Sequence, residues 1–562
     1  MKTLALIGLV LPVLMGLGQS LCAETRPNVI FLLTDDQGWG DAHFAGHPYV
    51  KTPNLDRIAE EGTWFRQFYV AAAVCSPSRV AFMTSHFPSR HHLHGHLSDA
   101  VVNEARSMPN WLDERVTTLP DLLRSAGYAT AHFGKWHLGS GPGAPTPEAY
   151  GFDVARIASG NGPTYEEARG KPDFWSRSTG LFVDDTIAFL REHRDQPCFV
   201  NLWTLIPHAK LAPSAEQLEV CADLKPKADD PAFGPWMRKY LAGAKDLESQ
   251  MKIYCASLTN LDTEIGRLLD ALDEMAMTEN TILVFSSDNG PEDYRVGNAA
   301  NAGVGSPGPL RGRKRSLYEG GIRTFGLVRW PGKVAAGRVD ETSVVAAVDL
   351  LPTICSLAGV EIPATLVCDG EDQSDRWLGR KTAPREKALF WEWLFTVQGP
   401  EDGYEPPMLA IREGDWKLFL DHQGGHAQLY QIPGDPGEHT DLAAKEPEIV
   451  KRLSDKALDW VKTLPPSPLR DSVAASGIPF DARGKGKPKK VVAPGPPAAP
   501  GEGATDRKAM FVRKDIDGDG RLTRDEYLQG FPDKTEGRRR FPIFDVNRDG
   551  ILSEEEFVRM GR

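Results

Sequence analysis

Short, unbroken apolar runs recur through the first half of the chain, and each ends in a polar cluster. Asn28–Leu33 leads into Thr34-Asp35-Asp36, and Tyr128–Phe133 into Gly134-Lys135-Trp136-His137. Cys198–Trp203 leads towards Pro207-His208, and Thr281–Phe285 into Ser286-Ser287-Asp288-Asn289. Runs without polar alternation suit strands buried on both faces, as in a parallel sheet. Between them, helical patterns predict helices at Thr117–Ala126, Val183–His193 and Leu258–Met275. Strands alternating with helices predict an α/β sandwich around a mostly parallel sheet. Such sheets bind ligands beyond the carboxyl ends of their strands, and all four polar clusters fall there.

The pattern changes in the second half. Met408–Arg412 and Trp416–Leu420, joined by Glu413-Gly414-Asp415, read as a β-hairpin. Leu429-Tyr430 would add a strand and Glu446–Thr463 a closing helix, giving a small α+β subdomain over 366–464 after a first domain at 24–365. From 465 to 506 the chain is rich in Pro, Gly and Lys and reads as an extended linker. The last stretch, 507–562, has its own pattern, treated below.

A chain of 562 residues exceeds one hydrophobic core. A hydrophobic content of 41% and a charged content of 25% describe a globular protein. The net charge of −12 argues against nucleic acid as a partner, so an anionic substrate needs a local basic pocket. Arg311, Arg313, Lys314, Arg315 and Arg323 offer one, or else line a solvated loop. The first 23 residues, with Lys2 and the apolar Leu4–Leu17, read as a secretory signal, which predicts a secreted or periplasmic protein. Cys22 leaves a lipid-anchored form open. No other segment approaches the ~20 apolar residues of a spanning helix. Of seven cysteines, five remain after Cys22 and Cys75, so no complete disulfide framework is implied, though Cys355 and Cys368 could pair.

The chemistry gathers around Cys75-Ser76-Pro77-Ser78-Arg79. Ser76 can cap a helix with Pro77 at its first position, placing Cys75 at the positive helix end and Arg79 in the first turn. Asp35, Asp36, Asp288 and Asn289 supply oxygen-bearing side chains, which favour calcium or magnesium over zinc. Lys135 and His137, two apart, share a face if the backbone is extended.

Cys-X-Pro-Ser-Arg, Gly-Lys-Trp-His-Leu-Gly and Lys314 four residues before Tyr318-Glu319-Gly320-Gly321 together resemble the type I sulfatase family over roughly 24–465. The resemblance implies an alkaline-phosphatase-like core and leans towards carbohydrate sulfatases similar to N-acetylgalactosamine-6-sulfatase. It implies that a formylglycine-generating maturase oxidises Cys75. It also implies one Ca²⁺ held by Asp35, Asp36, Asp288, Asn289 and the modified Cys75, with Lys135 and Lys314 on the sulfate. His137 would then contact the nucleophile, and His208 the sulfate and leaving oxygen. A sulfate monoester needs a strong nucleophile, cations around its oxygens and a proton for the leaving group. A geminal diol meets the first need and lets its spare hydroxyl expel sulfate. His86, His91, His92, His94 and His96 could read sugar hydroxyls or be plain loop residues, and 297–309 could form a pocket wall.

The tail repeats a calcium-loop spacing. Asp515, Asp517, Asp519, Arg521, Thr523 and Glu526 occupy positions 1, 3, 5, 7, 9 and 12 around Gly520. Asp545, Asn547, Asp549, Ile551, Ser553 and Glu556 repeat the pattern around Gly550. Arg521 and Ile551 would contribute backbone carbonyls. This predicts a helical EF-hand pair binding two Ca²⁺, joined by Leu522 and Leu552 over a core of Phe511, Phe531, Phe541, Phe544 and Phe557. A dockerin-like adaptor is the competing reading of the tail.

Two other functions stay open at this level. One is a phosphate or phosphonate monoester hydrolase of the same superfamily; the other is a noncatalytic calcium-binding adhesion protein. Removing 506–562 is expected to leave sulfate-ester hydrolysis largely intact. Turnover by a folded truncation checks this, and total loss would give the tail an active-site role.

Overall fold

The computed structural model describes residues 26–165, 170–171, 173–293, 300–380, 383–396, 405–477 and 479–480, and in the tail 511–512, 514–515, 517, 519–528, 541, 545 and 549–559. The signal segment, Cys22, Asn547, Phe531 and Phe544 lie outside these residues, as does 481–506. The chain divides into two compact units, Met1–Ala482 and Arg483–Arg562.

The first unit is built on an eight-stranded sheet. Its strands are β1 (Asn28–Thr34), β2 (Thr63–Tyr69), β3 (Ala129–Lys135), β4 (Val154–Ser159), β5 (Cys198–Trp203), β6 (Thr281–Ser287), β7 (Arg323–Arg329) and β8 (Arg338–Ala346). They lie in the order β4-β3-β5-β1-β6-β7-β2-β8. β7 runs antiparallel to β6 and β2, and the other pairings are parallel. Alternation along β1 shows why the run is unbroken. Val29, Phe31 and Leu33 enter one core layer, while Ile30 and Leu32 enter the other. Burying each such side chain contributes about 1.5–3 kcal/mol, so both faces need apolar residues.

Two long helices, Phe174–Glu192 and Leu247–Glu274, cover one face. Both exceed the expected lengths. The added first turns of the former carry buried Ser176, Ser178 and Thr179, weak helix formers that tertiary packing recruits. The other face receives helix Cys75–Thr84 and a four-stranded antiparallel sheet, β9 (Leu389–Glu392), β10 (Leu409–Glu413), β11 (Trp416–Leu420) and β12 (Gln428–Gln431). Helix Pro447–Thr463 packs beside it.

This small sheet is tied to the large one by polar contacts as well as packing. Trp391 Nε1 donates to the Val70 carbonyl at 2.7 Å. Arg412 donates to the Tyr69 hydroxyl and, at 2.6 Å, to Gln67. Lys417 Nζ donates to Glu319 Oε1 at 2.8 Å. Glu392, fully buried, accepts from Arg470 Nε at 2.6 Å, His422 at 3.0 Å and Ser89 Oγ at 3.0 Å, with His94 Nδ1 3.3 Å away.

Arg470 corrects the expected linker boundary. Residues 468–476 form a helix capped by Ser467, with Leu469 and Val473 buried, and Phe480 packs on Phe395. The Pro465-Pro466 break therefore starts a new helix instead of a tether. Cys355 and Cys368 stand as free thiols, not a disulfide.

In the tail unit, β13 (Arg521–Thr523) and β14 (Ile551–Ser553) pair antiparallel with Leu522 opposite Leu552. Phe511, Tyr527, Phe541 and Phe557 pack around them. Among the described residues no helix is long and apolar enough to cross a membrane.

Glu392→Ala leaves Arg470 buried without its partner and is expected to cost about 3–5 kcal/mol. Urea unfolding followed by tryptophan fluorescence checks the shift.

Candidate active site

Cys75 opens the helix Cys75–Thr84 and is only 2% exposed. The cap differs from the expected one. Val74 is the N-cap residue and makes no side-chain cap bond. Ser76 Oγ instead accepts from Leu97 N at 3.0 Å, and Ser78 Oγ donates to the Ala72 carbonyl at 2.7 Å. Pro77 still fits, because first-turn N–H groups lack helical partners. Burial pushes the Cys75 thiol up to about 11, against the pull of Lys135 and Lys314. As a plain thiol it is protonated and a weak nucleophile at neutral pH.

The ends of β1 and β6 bring three carboxylates beside it. Asp35 accepts from Lys135 Nζ, with Arg79 3.7 Å away. Asp36, in a left-handed conformation at φ 65°, accepts from Lys314 Nζ at 2.6 and 2.7 Å and from Asn289 Nδ2 at 2.7 Å. Asp288 accepts the Asp36 N–H at 3.1 Å and two Arg79 N–H groups at 3.1 and 2.7 Å. Arg79 also donates to the Lys135 carbonyl and lies 5.0 Å over the Trp203 ring. Burial opposes the charge on Asp35, yet Lys135, His208, Arg79 and Lys314 together hold its carboxyl well below the usual range. Burial and Asp35 push Asp288 up to about 7. Three carboxylates this close and this dry need positive charge around them.

Burial likewise opposes the ammonium charges, but Asp35 raises Lys135, and Asp36 and Glu292 raise Lys314. Both lysines stay charged. The two histidines do the reverse. Burial, then Lys135 and Arg79, drive His137 far down, and burial with Lys314 lowers His208 against the pull of Asp36. His137 is left-handed at φ 55°, so it does not share an extended face with Lys135 as expected. Its Nε2 meets the Leu97 carbonyl at 3.0 Å, and its Nδ1 is buried without a hydrogen-bond partner. His208 Nε2 is 3.6 Å from Asp36 Oδ2.

A hard cation fits this donor set. Asp35 Oδ1 and Asn289 Oδ1 are buried oxygens with no hydrogen-bond partner, and ligand atoms of Asp35, Asp36, Cys75 and His208 lie within 4.8 Å of one another. Oxygen donors of this kind suit calcium or magnesium. Asp288 stands beside this cluster, with Oδ1 on the Asp36 N–H and Oδ2 on Arg79.

The basic run disperses on folding. Lys314 and Arg315 reach the site, but Arg313 turns inward to the carbonyls of Glu292 and Gly305. Arg311 stacks on Tyr318 at 3.8 Å, and Arg323 pairs with Glu319 at 3.2 Å. The histidine cluster disperses too. His86 stacks on His91, and His94 is buried against Ser467. Only His96 faces the cations: burial, then Arg106, Lys314, Arg315 and Lys135, push it down to about 3. Residues 297–299 of the expected pocket wall lie outside the described residues. Glu292, absent from the expected set, holds Arg315 at 2.5 and 3.1 Å and lies 3.7 Å from Lys314. Its position two residues after Asn289-Gly290 was the available signal.

In the tail, the loops repeat one set of contacts. Asp515 accepts from Asp519 N and Gly520 N at 3.1 and 2.9 Å, as Asp545 does from Asp549 N and Gly550 N. Asp519 and Asp549 accept from Arg521 N and Ile551 N. Glu526 holds Thr523, and Glu556 holds Ser553, in the same way. Carboxylate oxygens of Asp515, Asp517 and Asp519 lie within 4.8 Å of one another.

A buried residue at a helix start, an oxygen-rich cation cradle and two charged lysines define a hydrolase of anionic esters. Residues 27–360 match the sulfatase family, 312–462 match the N-sulphoglucosamine sulphohydrolase C-terminal family, and 539–560 match an EF hand. The chain belongs to the sulfatase family and is a sulfuric ester hydrolase. It is 29% identical to human arylsulfatase A, covering 79% of this chain and 90% of that protein. It is 31% identical to mouse N-acetylgalactosamine-6-sulfatase (77% and 85%). The N-acetylgalactosamine-6-O-sulfatase of Bacteroides thetaiotaomicron is 27% identical (78% and 93%). The crystal structure of Ps i-CgsB with k-i-k-neocarrahexaose aligns at TM-score 0.60 and 25% identity, over 78% of this chain and 93% of that one. The phosphonate monoester hydrolase of Agrobacterium radiobacter shares the fold at TM-score 0.57 and 21% identity, over 77% and 95%.

Asp36→Ala is expected to weaken the binding of a divalent cation by this cradle without changing what the tail loops bind. Metal analysis of dialysed wild type and variant checks the difference.

Proposed function

We propose that this is a secreted or periplasmic sulfatase that hydrolyses sulfate monoesters of carbohydrates, with residue 75 matured to formylglycine and one calcium held by Asp35, Asp36, Asp288 and Asn289. The observation that carries the reading is the convergence of Cys75, Asp35, Asp36, His208, Lys135 and Lys314 at the carboxyl ends of the strands. The Cys75-Ser76-Pro77-Ser78-Arg79 motif supports maturation. Oxidised by a maturase, residue 75 supplies a hydrated aldehyde, so one hydroxyl can attack sulfur and the other can later release sulfate. Calcium, when bound, acts as a Lewis acid and orients the nucleophile.

The chain's own residues do the rest. Lys135 and Lys314 neutralise the sulfate oxygens as charge shifts onto them. His137, held neutral, has its buried Nδ1 available to accept a proton. His208 is placed to pass a proton to the leaving oxygen, with the pull of Asp36 working against the burial that lowers its proton affinity. Arg79 works against the burial that raises Asp288 and holds its Oδ2 in place. Four carboxylates, those of Asp35, Asp36, Asp288 and Glu292, face four cations, those of Arg79, Lys135, Lys314 and Arg315. A divalent ion then leaves a positive excess, which suits an anionic ester. The relatives' names, arylsulfatase A and N-acetylgalactosamine-6-sulfatase, support the substrate class. The tail loops are proposed to bind two further calcium ions.

Cys75→Ala and Lys314→Ala should each lower aryl sulfate turnover by orders of magnitude without unfolding the protein. Mass analysis of the peptide containing residue 75 should show the aldehyde in wild type. Retained activity in Cys75→Ala, or aryl phosphate outrunning aryl sulfate, would overturn the reading.

A further inference from the structure

We infer that Arg106 and His96 form the wall of the active site that receives a second anionic group of the substrate, a carboxylate or further sulfate on the saccharide carrying the scissile ester. This rests on the carbohydrate sulfatase reading above and names the substrate class within it.

The segment His96-Leu97 lies against the reacting residues. Leu97 N donates to Ser76 Oγ at 3.0 Å, beside Cys75, and the Leu97 carbonyl meets His137 Nε2 at 3.0 Å. Arg106 NH1 donates to the His96 carbonyl at 3.2 Å, which fixes the guanidinium one residue from that bracket. Its Cζ lies 5.5 Å from the centroid of the Phe395 ring, and Gly95 closes against the same ring, where a Cβ would come within 3.0 Å. The fork is thus held from two sides before any ligand arrives.

What sets Arg106 apart is charge. Arg79, Lys135, Lys314 and Arg315 each have a carboxylate within ion-pair reach. Among the described residues Arg106 has none. Glu104, two residues before it, forms no ion pair with it, and Asp99 turns its side chain to the Val102 N–H at 2.9 Å, capping the helix Ala100–Ala105. A half-buried guanidinium with Asp99 acting on it only from beyond ion-pair distance gains from an anion, and its planar fork binds carboxylate or sulfate through two N–H groups. His96, kept neutral by its surroundings, can donate to or accept from a sugar hydroxyl beside that anion. On a chain of net charge −12, this local surplus selects for a multiply anionic sugar.

The test compares kcat/KM for a 6-sulfated hexosamine, its 4,6-disulfated counterpart and a 6-sulfated disaccharide bearing a uronate. Wild type should prefer one or both of the doubly charged sugars, and which one distinguishes sulfate from carboxylate. Arg106→Ala should lower that preference about 10- to 100-fold, the range for a lost charge-assisted contact, chiefly through KM. Arg106→Lys should keep part of it. Calorimetric binding of the same sugars to Cys75→Ala protein should show the same order without turnover. Equal affinities and rates for all three sugars in wild type, or an equal loss on all three in Arg106→Ala, would overturn the inference. Aryl sulfate hydrolysis by wild type separates the two levels. With aryl sulfate cleaved and no preference, this inference alone fails; with no cleavage, the sulfatase reading fails and binding still decides the role of Arg106.

Discussion

The structure turns on one constraint: ionised groups placed at the dry ends of the strands must be matched almost one for one. Isolated burial of any of them would cost several kcal/mol. Each therefore has a partner brought from another element. Asp35 after β1 meets Lys135 from β3, Asp36 meets Lys314 from the loop before β7, and Asp288 after β6 meets Arg79 from the helix Cys75–Thr84. The parallel register of β3, β5, β1 and β6 makes those meetings possible, because it lines up four strand ends at one level. Packing fixes the register and the register fixes the charges.

The small antiparallel sheet acts on the same site from behind. Lys314 sits on a tightly folded loop in which backbone passes close to backbone. A Cβ on Gly320 would lie 2.3 Å from the Gly312 carbonyl oxygen, and one on Gly321 would lie 2.0 Å from that of Ser316. That is the physical reason for Glu319-Gly320-Gly321. Glu319, in turn, is gripped by Lys417 from β11, Tyr69 from β2 and Arg323. Chemistry at Lys314 thus depends on residues about a hundred positions later in the chain.

Much of this was legible in the sequence, for identifiable reasons. Strands buried on both faces leave apolar runs that nothing else in a globular chain requires, so β1, β3, β5 and β6 could be read with their trailing polar clusters. The spacing before Tyr318 picked out Lys314, but Arg313 could not be sorted from Arg315, because neighbouring arginines look alike until the loop's path sends one inward to carbonyls and the other to Glu292. Ser76 looked like a helix cap because its type and neighbours allow it, but the Leu97 amide claims its oxygen. The segment 465–480 looked like tether because its prolines and glycines outweigh a few apolar anchors, yet Leu469 and Val473 suffice once the Glu392–Arg470 pair holds the helix down. Arg106 gave no sign at all, since an arginine's lack of a partner is a property of three dimensions.

The grip on Glu392 bears on how the chain is made. Arg470 emerges from the ribosome roughly 395 residues after Cys75, and at about 5–20 residues per second that interval lasts on the order of 20–80 s. Until then Glu392, which accepts from Ser89 and lies beside His94, lacks its arginine partner. Under the proposed maturation, an external catalyst acting on the thiol has that interval to reach it, and any change that hastens closure of this corner shortens the time in which it can work.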